Sequence, residues 1–235
     1  LDAVARNPDD VWALHAAAHV YEMQGRVDEG VAFMTGRVDD WGSGNLFTVH
    51  NWWHLGLYHL ERGDHDEVLG IYDAEVHHPA SEGVPMEMLD ASAMLWRLRL
   101  DGVDVGDRFE VIADAWAGAL DSMPSWYAFN DAHAVMAFLG AGRRDDAVAV
   151  IDRLTADVHR PATASASSNV RMTAEVGLPV SRALLAFDDG RHADVVGELW
   201  PVRRVFHHFG GSHAQRDVLE RTLLDGAVRA GRTDL

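Results

Sequence analysis

The stretch NWWHLGLYHLERGD, Asn51 to Asp64, carries apolar residues at helical spacing up to Gly63, after which a short polar run opens a second helix. The same phrase recurs around Gly25, Gly102, Gly142, Gly190 and Gly231, at intervals of 38, 39, 40, 48 and 41 residues along the chain. A fixed period in the range of roughly 20 to 50 residues marks a stacked repeat architecture, because one such unit is too small to bury its own hydrophobic face. In the first unit Val11 to Gln24 precedes Gly25 and Val27 to Thr35 follows it, with Asn7-Pro-Asp-Asp supplying the start signal. Glycine suits the turn because it adopts positive φ without a Cβ penalty. The acidic pairs Asp28/Glu29, Asp66/Glu67 and Asp145/Asp146 fall in the first turn of each second helix, where they complement the positive end of its dipole. They read as helix-start residues rather than catalysts.

Composition narrows the classes. A chain of 235 residues with 48% hydrophobic content can bury a sizeable core, and a net charge of −17 disfavours nucleic acid and anionic membranes as partners. All 20 basic residues are arginine, so any anion recognition relies on guanidinium groups. Cysteine is absent, which removes disulfides, thiolate metal sites and cysteine nucleophiles. With no signal-like amino terminus and no apolar run of about 18 residues, the expectation is a cytoplasmic protein. Leu1 to Arg6 reads as the tail of a preceding helix, and Leu235 follows Gly231 by four residues, so the single repeat domain over 1–235 reads as truncated at both ends. One stretch, 155–179, lengthens the fourth interval, and its small polar run from Pro161 to Ser168 predicts a loop insertion.

Trp52-x-x-Leu55-Gly56-x-x-His59-x-x-x-Gly63-Asp64-x-Asp66 resembles a tetratricopeptide repeat, with Leu14, Ala17, Ala18 and Tyr21 at the matching offsets of the first unit and Ala134, Val135 and Phe138 in the fourth. Four longer segments, His15 to Gly30, Asn51 to Asp64, Asn130 to Arg143 and Gly210 to Asp217, resemble the bacterial relatives of tetratricopeptide repeat protein 38. The resemblance implies an all-α fold, a TPR-like right-handed α-solenoid with a period of about 38–41 residues, and brings no established activity with it. It also implies which residues of each first helix face the concave groove: Trp12, His15, His19 and Glu22 in the first unit, His50, Trp53 and Leu57 in the second, Ser92 and Trp96 in the third, Phe129 and Met136 in the fourth. The Lys, Asn and Arg of a carboxylate-terminus clamp are missing at these offsets, so a chaperone-tail clamp is not expected.

Fourteen histidines are present, and His15/His19 and His50/His54 are each spaced i, i+4, which puts both imidazoles of a pair on one helical face. Glu22 continues the His15/His19 face by one turn, and adjacent repeat helices could bring the two pairs together around a divalent metal that prefers imidazole, such as Zn²⁺. The competing reading is inter-helix hydrogen bonding, which suits His54 and His133 because their offset from the glycine points between neighbouring helices. HxxxH also lacks the glutamate of the HExxH metalloprotease signature. As acid or base, His15, His19 or His133 would be oriented by Glu22 or Asp131. Ser212-x-x-Gln215 reads as a capping box, and His213 and Arg216 beside it suit a carboxylate or phosphate.

Three functions follow as expectations. In the first, the groove binds a small molecule or short peptide through Trp12, His15, His19, Glu22, His50, Trp53 and Trp96, with His213 and Arg216 as further contacts. The second is a hydrolase or lyase using His15, His19, Asp131 or His133, assisted by a metal on His15, His19, His50 and His54. The third is a protein-interaction scaffold, and homo-oligomerisation stays open under all three.

Overall fold

The computed structural model describes residues 2–45, 47–78, 81, 83–122, 127–159, 168–232 and 234–235. Among these residues the chain is all-helical, with no strand. All six anchor glycines have positive φ, from 64° to 77°. Gly63 illustrates why: its amide donates to the Leu60 carbonyl at 3.0 Å and the Asp64 amide donates to the His59 carbonyl at 2.9 Å, the Schellman arrangement, which requires the left-handed residue in between.

Where a single domain is expected over 1–235, the chain divides into two compact units, Leu1–Met94 and Leu95–Leu235. The first contains α1 (Asp2–Arg6), α2 (Val11–Met23), α3 (Val27–Thr35), α4 (Val38–Trp41), α5 (Thr48–Arg62) and α6 (His65–Ile71), which runs into a π-helical turn at Tyr72–Val76. The unit boundary falls inside α7 (Pro85–Leu100). Asp10 caps α2 by accepting from the Ala13 amide at 3.0 Å, and the stripe Leu14, Ala17, Ala18 and Tyr21 buries one face of the helix. α2 packs on α3 and α5, α3 on α5, and α5 on α6. Wholly buried side chains such as Leu14, Met34, Trp53 and Val68 supply the core, each worth about 1.5–3 kcal/mol of transfer free energy.

Tyr58 locks α2, α3 and α5 together. Its ring sits against Gly30, where a Cβ would come within 2.6 Å of Cζ, and its hydroxyl donates to the Ala18 carbonyl at 2.5 Å. Burial, followed by the charge of Glu22, pushes the Tyr58 phenol well above its ordinary value, so it stays a donor. This joint sets the distance between the two helices that carry the paired histidines.

The second unit contains α8 (Arg108–Ser122), α9 (Ala128–Gly140), α10 (Arg144–His159), α11 (Ser168–Met172) with a π-helical turn at Thr173–Gly177, α12 (Leu178–Asp188), α13 (His192–Val202) with a 3-10 segment at Arg203–Phe209, and α14 (His213–Arg229). α9 packs on α8, α10 and α12, α12 on α13, and α13 on α14. Of the loop expected over 155–179, residues 160–167 lie outside the described residues, and both flanks are helical: Thr155–His159 extends α10, and Ser168 onward forms α11, the π turn and the start of α12. The capping box read at Ser212 is present, with the Gln215 amide donating to Ser212 Oγ at 3.2 Å and the Ser212 amide to Gln215 Oε1 at 2.9 Å.

Candidate metal centre

α2 and α5 each present their histidine pair toward the other helix. On α2 the apolar stripe occupies the inner face and places His15, His19 and Glu22 along its border, half-buried. On α5 the pair lies deeper: His50 is 5% exposed and His54 1%. The ring centroids of His15, His50 and His54 form a triangle with sides of 4.9, 4.8 and 5.0 Å. A second triangle, His15, His19 and His54, has sides of 4.6, 4.4 and 5.0 Å and shares the His15–His54 edge. His50 and His19 therefore stand at opposite ends of the cluster. One ring nitrogen from each of the four lies within 4.8 Å of the others.

Oxygen atoms stand behind three of the rings. Asp90, from α7 and wholly buried, has Oδ2 2.5 Å from His50 Nδ1. Asn51 Oδ1 lies 3.3 Å from His15 Nδ1, and Glu22 Oε2 lies 3.9 Å from His19 Nδ1. At His50 and His15, where the oxygen is within hydrogen-bonding distance, an acceptor at Nδ1 fixes the proton there and turns the Nε2 lone pair outward, the outer-shell pattern that orients metal-ligating histidines, whereas Glu22 is too far from His19 to do so. The Nε2 atoms of His15 and His19 face each other at 3.1 Å. Two lone pairs cannot share that distance unless a proton or a cation sits between them. Zn–N bonds of about 2.0–2.1 Å in a tetrahedron require N···N edges of about 3.3 Å, so the His15–His19 edge is already close to that of a bound ion.

The electrostatics of His15 and His50 run in opposite directions. Burial, then the neighbouring His50 and His19, push His15 down to about 4, against the opposing hydrogen bond from Asn51 and the charge of Asp90. His15 is neutral at physiological pH and available as a ligand. Burial also pushes His50 down, yet the charge of Asp90 and its hydrogen bond outweigh it, and the His50 value ends above the ordinary one. The first unit has thus gathered four imidazoles with one ring nitrogen each within 4.8 Å of the others, and one buried carboxylate behind them.

The other expected site residues are placed as follows. Trp12 is 64% exposed and meets Phe47 edge-on with ring centroids at 4.4 Å, while Phe47 stacks on His15 at 4.8 Å. Trp53 and Trp96 are 0% exposed, which puts them in the core instead of on a groove surface: Trp53 stacks on His50 at 5.1 Å, and Trp96 donates through Nε1 to Thr222 Oγ1 at 3.1 Å. Apolar surface this large gains more from packing than from lining water, which is the reason for the correction. Asp131 and His133 belong to the second unit, where Asp131 is buried with Arg153 Nη2 at 3.3 Å and His133 Nδ1 donates to the Phe129 carbonyl at 2.7 Å. Arg216 Nη1 donates to the carbonyls of Gly210, at 3.1 Å, and Gly211, and His213 is exposed. A cavity of about 910 Å³ opens beside α3, α5 and α6, lined by Trp52, Leu55, His59 and Arg62 on a face of α5 different from that of His50 and His54, and it includes none of the expected ligand residues.

Two participants, Asp90 and Asn51, were not expected from the sequence. Asp90 had a readable signal: it is the only acid in the otherwise apolar or small run Met88 to Trp96, and a carboxylate in such a run needs a buried partner. Asn51 had none, since an amide beside a histidine pair is ordinary. No family model matches the chain, and no solved structure matches it.

Proposed function

We propose that the first unit is a metal-binding module in which His15, His19, His50 and His54 hold one divalent cation of the late first transition row, Zn²⁺ in the first instance. The observation that carries this reading is the convergence of four imidazole nitrogens within 4.8 Å, with oxygen atoms behind three of the rings. Imidazole suits Zn, Cu, Ni and Fe, and the chain has no thiolate to select a softer ion. Of the three functions expected from the sequence, the metal-assisted form gains most, because the donors that it needs stand together. The ligand-binding reading narrows to the exposed edge of the same centre, around Trp12, His15, His19 and Glu22.

We read the scaffold as TPR-like repeats of a cytoplasmic protein. This is supported by the positive φ shared by six periodic glycines, by packing between several successive helices within either unit, such as α2 on α3, α5 on α6, α12 on α13 and α13 on α14, and by the lack of any described helix long and apolar enough to cross a membrane. Elemental analysis of protein purified without chelators should find one equivalent of transition metal per chain. His50→Ala and His54→Ala should each weaken Zn²⁺ binding by calorimetry at least a hundredfold. Wild-type protein that takes up neither Zn²⁺ nor Co²⁺ in the micromolar range would end the reading.

A further inference from the structure

We infer that His19 is an exchangeable ligand, so that the centre carries a coordination position open to water or a small anion on its α2 side. The inference rests on the metal-binding reading above and extends it from a closed structural site to one that takes an exogenous ligand.

The cluster is asymmetric along the line from His50 to His19. At the His50 end, Asp90 holds Nδ1 at 2.5 Å and is itself 0% exposed, while Trp53 stacks on the ring at an interplanar angle of 13°. His54 is equally enclosed, in ring contact with Trp53 as well as with the other three histidines. His15 is held by Asn51 on one side and by the stacked Phe47 ring on the other. At the far end the carboxylate behind His19 among the described residues is Glu22, at 3.9 Å, beyond hydrogen-bonding distance, and both side chains are 20% exposed. A ligand whose ring is pinned by a hydrogen bond and by packing loses little entropy on binding the ion. One that is loosely backed and solvent-facing loses more and is displaced first. Closed sites with four firm protein ligands are structural, whereas three firm ligands and a replaceable fourth are the arrangement of zinc centres that bind or activate water.

The surroundings of His19 suit an incoming ligand. Trp12 and Phe47 form an aromatic shelf beside His15, with Trp12 two turns from His19 along α2, and the Glu22 carboxylate stands one turn away on the other side. The four groups Trp12, His15, His19 and Glu22 follow i, i+3, i+7, i+10 along one face of α2. The ligand class is therefore a small molecule or anion with one donor atom for the metal.

Full-length protein and the variants His19→Ala and His54→Ala, each checked for native circular dichroism, would be titrated with Co²⁺ alone and then with azide, following the visible absorption bands. The expected result is that His19→Ala binds Co²⁺ within about tenfold of wild type and His54→Ala at least a hundredfold more weakly, with azide shifting the spectrum of His19→Ala at concentrations at least tenfold lower than wild type needs. A loss of Co²⁺ in His19→Ala as large as in His54→Ala, or retention of Co²⁺ with no azide response, overturns the exchangeable position while leaving the four-histidine centre standing. Failure of wild type itself to bind Co²⁺ removes both.

Discussion

Asp90→Asn is the most informative single change, because it keeps the shape and one acceptor oxygen but removes a wholly buried carboxylate at the centre. In the native protein Asp90 Oδ2 lies 2.5 Å from His50 Nδ1 and both groups are shielded from water, 0% and 6% exposed as side chains, so their interaction is little screened. The carboxylate has two consequences for a metal. It raises the basicity of Nε2, which strengthens the bond to the ion, and it raises the His50 value above the ordinary 6.5, which makes a proton a stronger competitor for the same nitrogen. Losing an outer-shell partner of this kind typically costs about 10- to 100-fold in metal affinity, or about 1.4–2.7 kcal/mol. The proton competition is relieved in the variant, so the deficit is largest at alkaline pH and shrinks as the pH falls below the His50 value of the native protein. For the metal-free protein the sign is opposite. A histidine whose folded value is raised contributes stability that is fully present below the unfolded value near 6.5 and is lost as the pH rises through the folded value, so Asp90→Asn destabilises the apo form more in mild acid than in alkali. The assay is Zn²⁺ calorimetry and thermal unfolding of the apo protein, each at about pH 6 and about pH 8.5, on either side of the ordinary histidine range. An Asp90→Asn protein with native circular dichroism and an unchanged alkaline Zn²⁺ affinity would refute the assignment of Asp90 as a positioning residue.

Three further outcomes test the surrounding structure. Tyr58→Phe keeps the ring over Gly30 but removes the hydroxyl's bond to the Ala18 carbonyl, which keeps its place in the α2 ladder, and should lower stability by about 0.5–1.5 kcal/mol in chemical denaturation, with a parallel weakening of metal binding because the spacing of α2 and α5 depends on the same joint. Gly30→Ala should destabilise by about 1–3 kcal/mol because the added methyl meets the rigid Tyr58 ring at 2.6–2.9 Å, whereas Gly56→Ala meets the flexible end of Met94 at 2.5 Å and should be nearly neutral; equal losses at the two positions would contradict this packing. In the apo protein the His15 imidazole should titrate with a midpoint near 4 by NMR; because its folded value is depressed, its contribution destabilises the fold as the pH drops from 6.5 toward 4, opposite in sign to that of His50. A His15 midpoint near 6.5 would mean that the cluster is open to water.

Much of the helical framework could be read before any tertiary contact was known. The phase of apolar residues around Leu14 and Leu55, the Asp10 and Ser212 caps and the positive-φ glycines are consequences of hydrogen bonds and sterics within a few residues, which local sequence controls. The i, i+4 spacing of His15/His19 and His50/His54 belongs to the same class, since one turn of helix sets it. Whether the two pairs meet is a different matter. His15 contacts Asn51 across 36 residues, between α2 and α5, which Tyr58 and Gly30 seat with α3, and His50 contacts Asp90 across 40, between α5 and α7, which meet where Met94 reaches Gly56. His54 shows the division most clearly: its offset from Gly63 pointed it between helices, which is where it lies, but only the packing of α2 against α5 put His15 and His19 in that same space. Trp53 and Trp96, assigned to an exposed groove by their offsets, went into the core because apolar area removed from water outweighs the position that a repeat pattern suggests. Helix periodicity is a local property of this chain, whereas the four-imidazole centre and its buried carboxylate exist only where surfaces far apart in sequence are forced together.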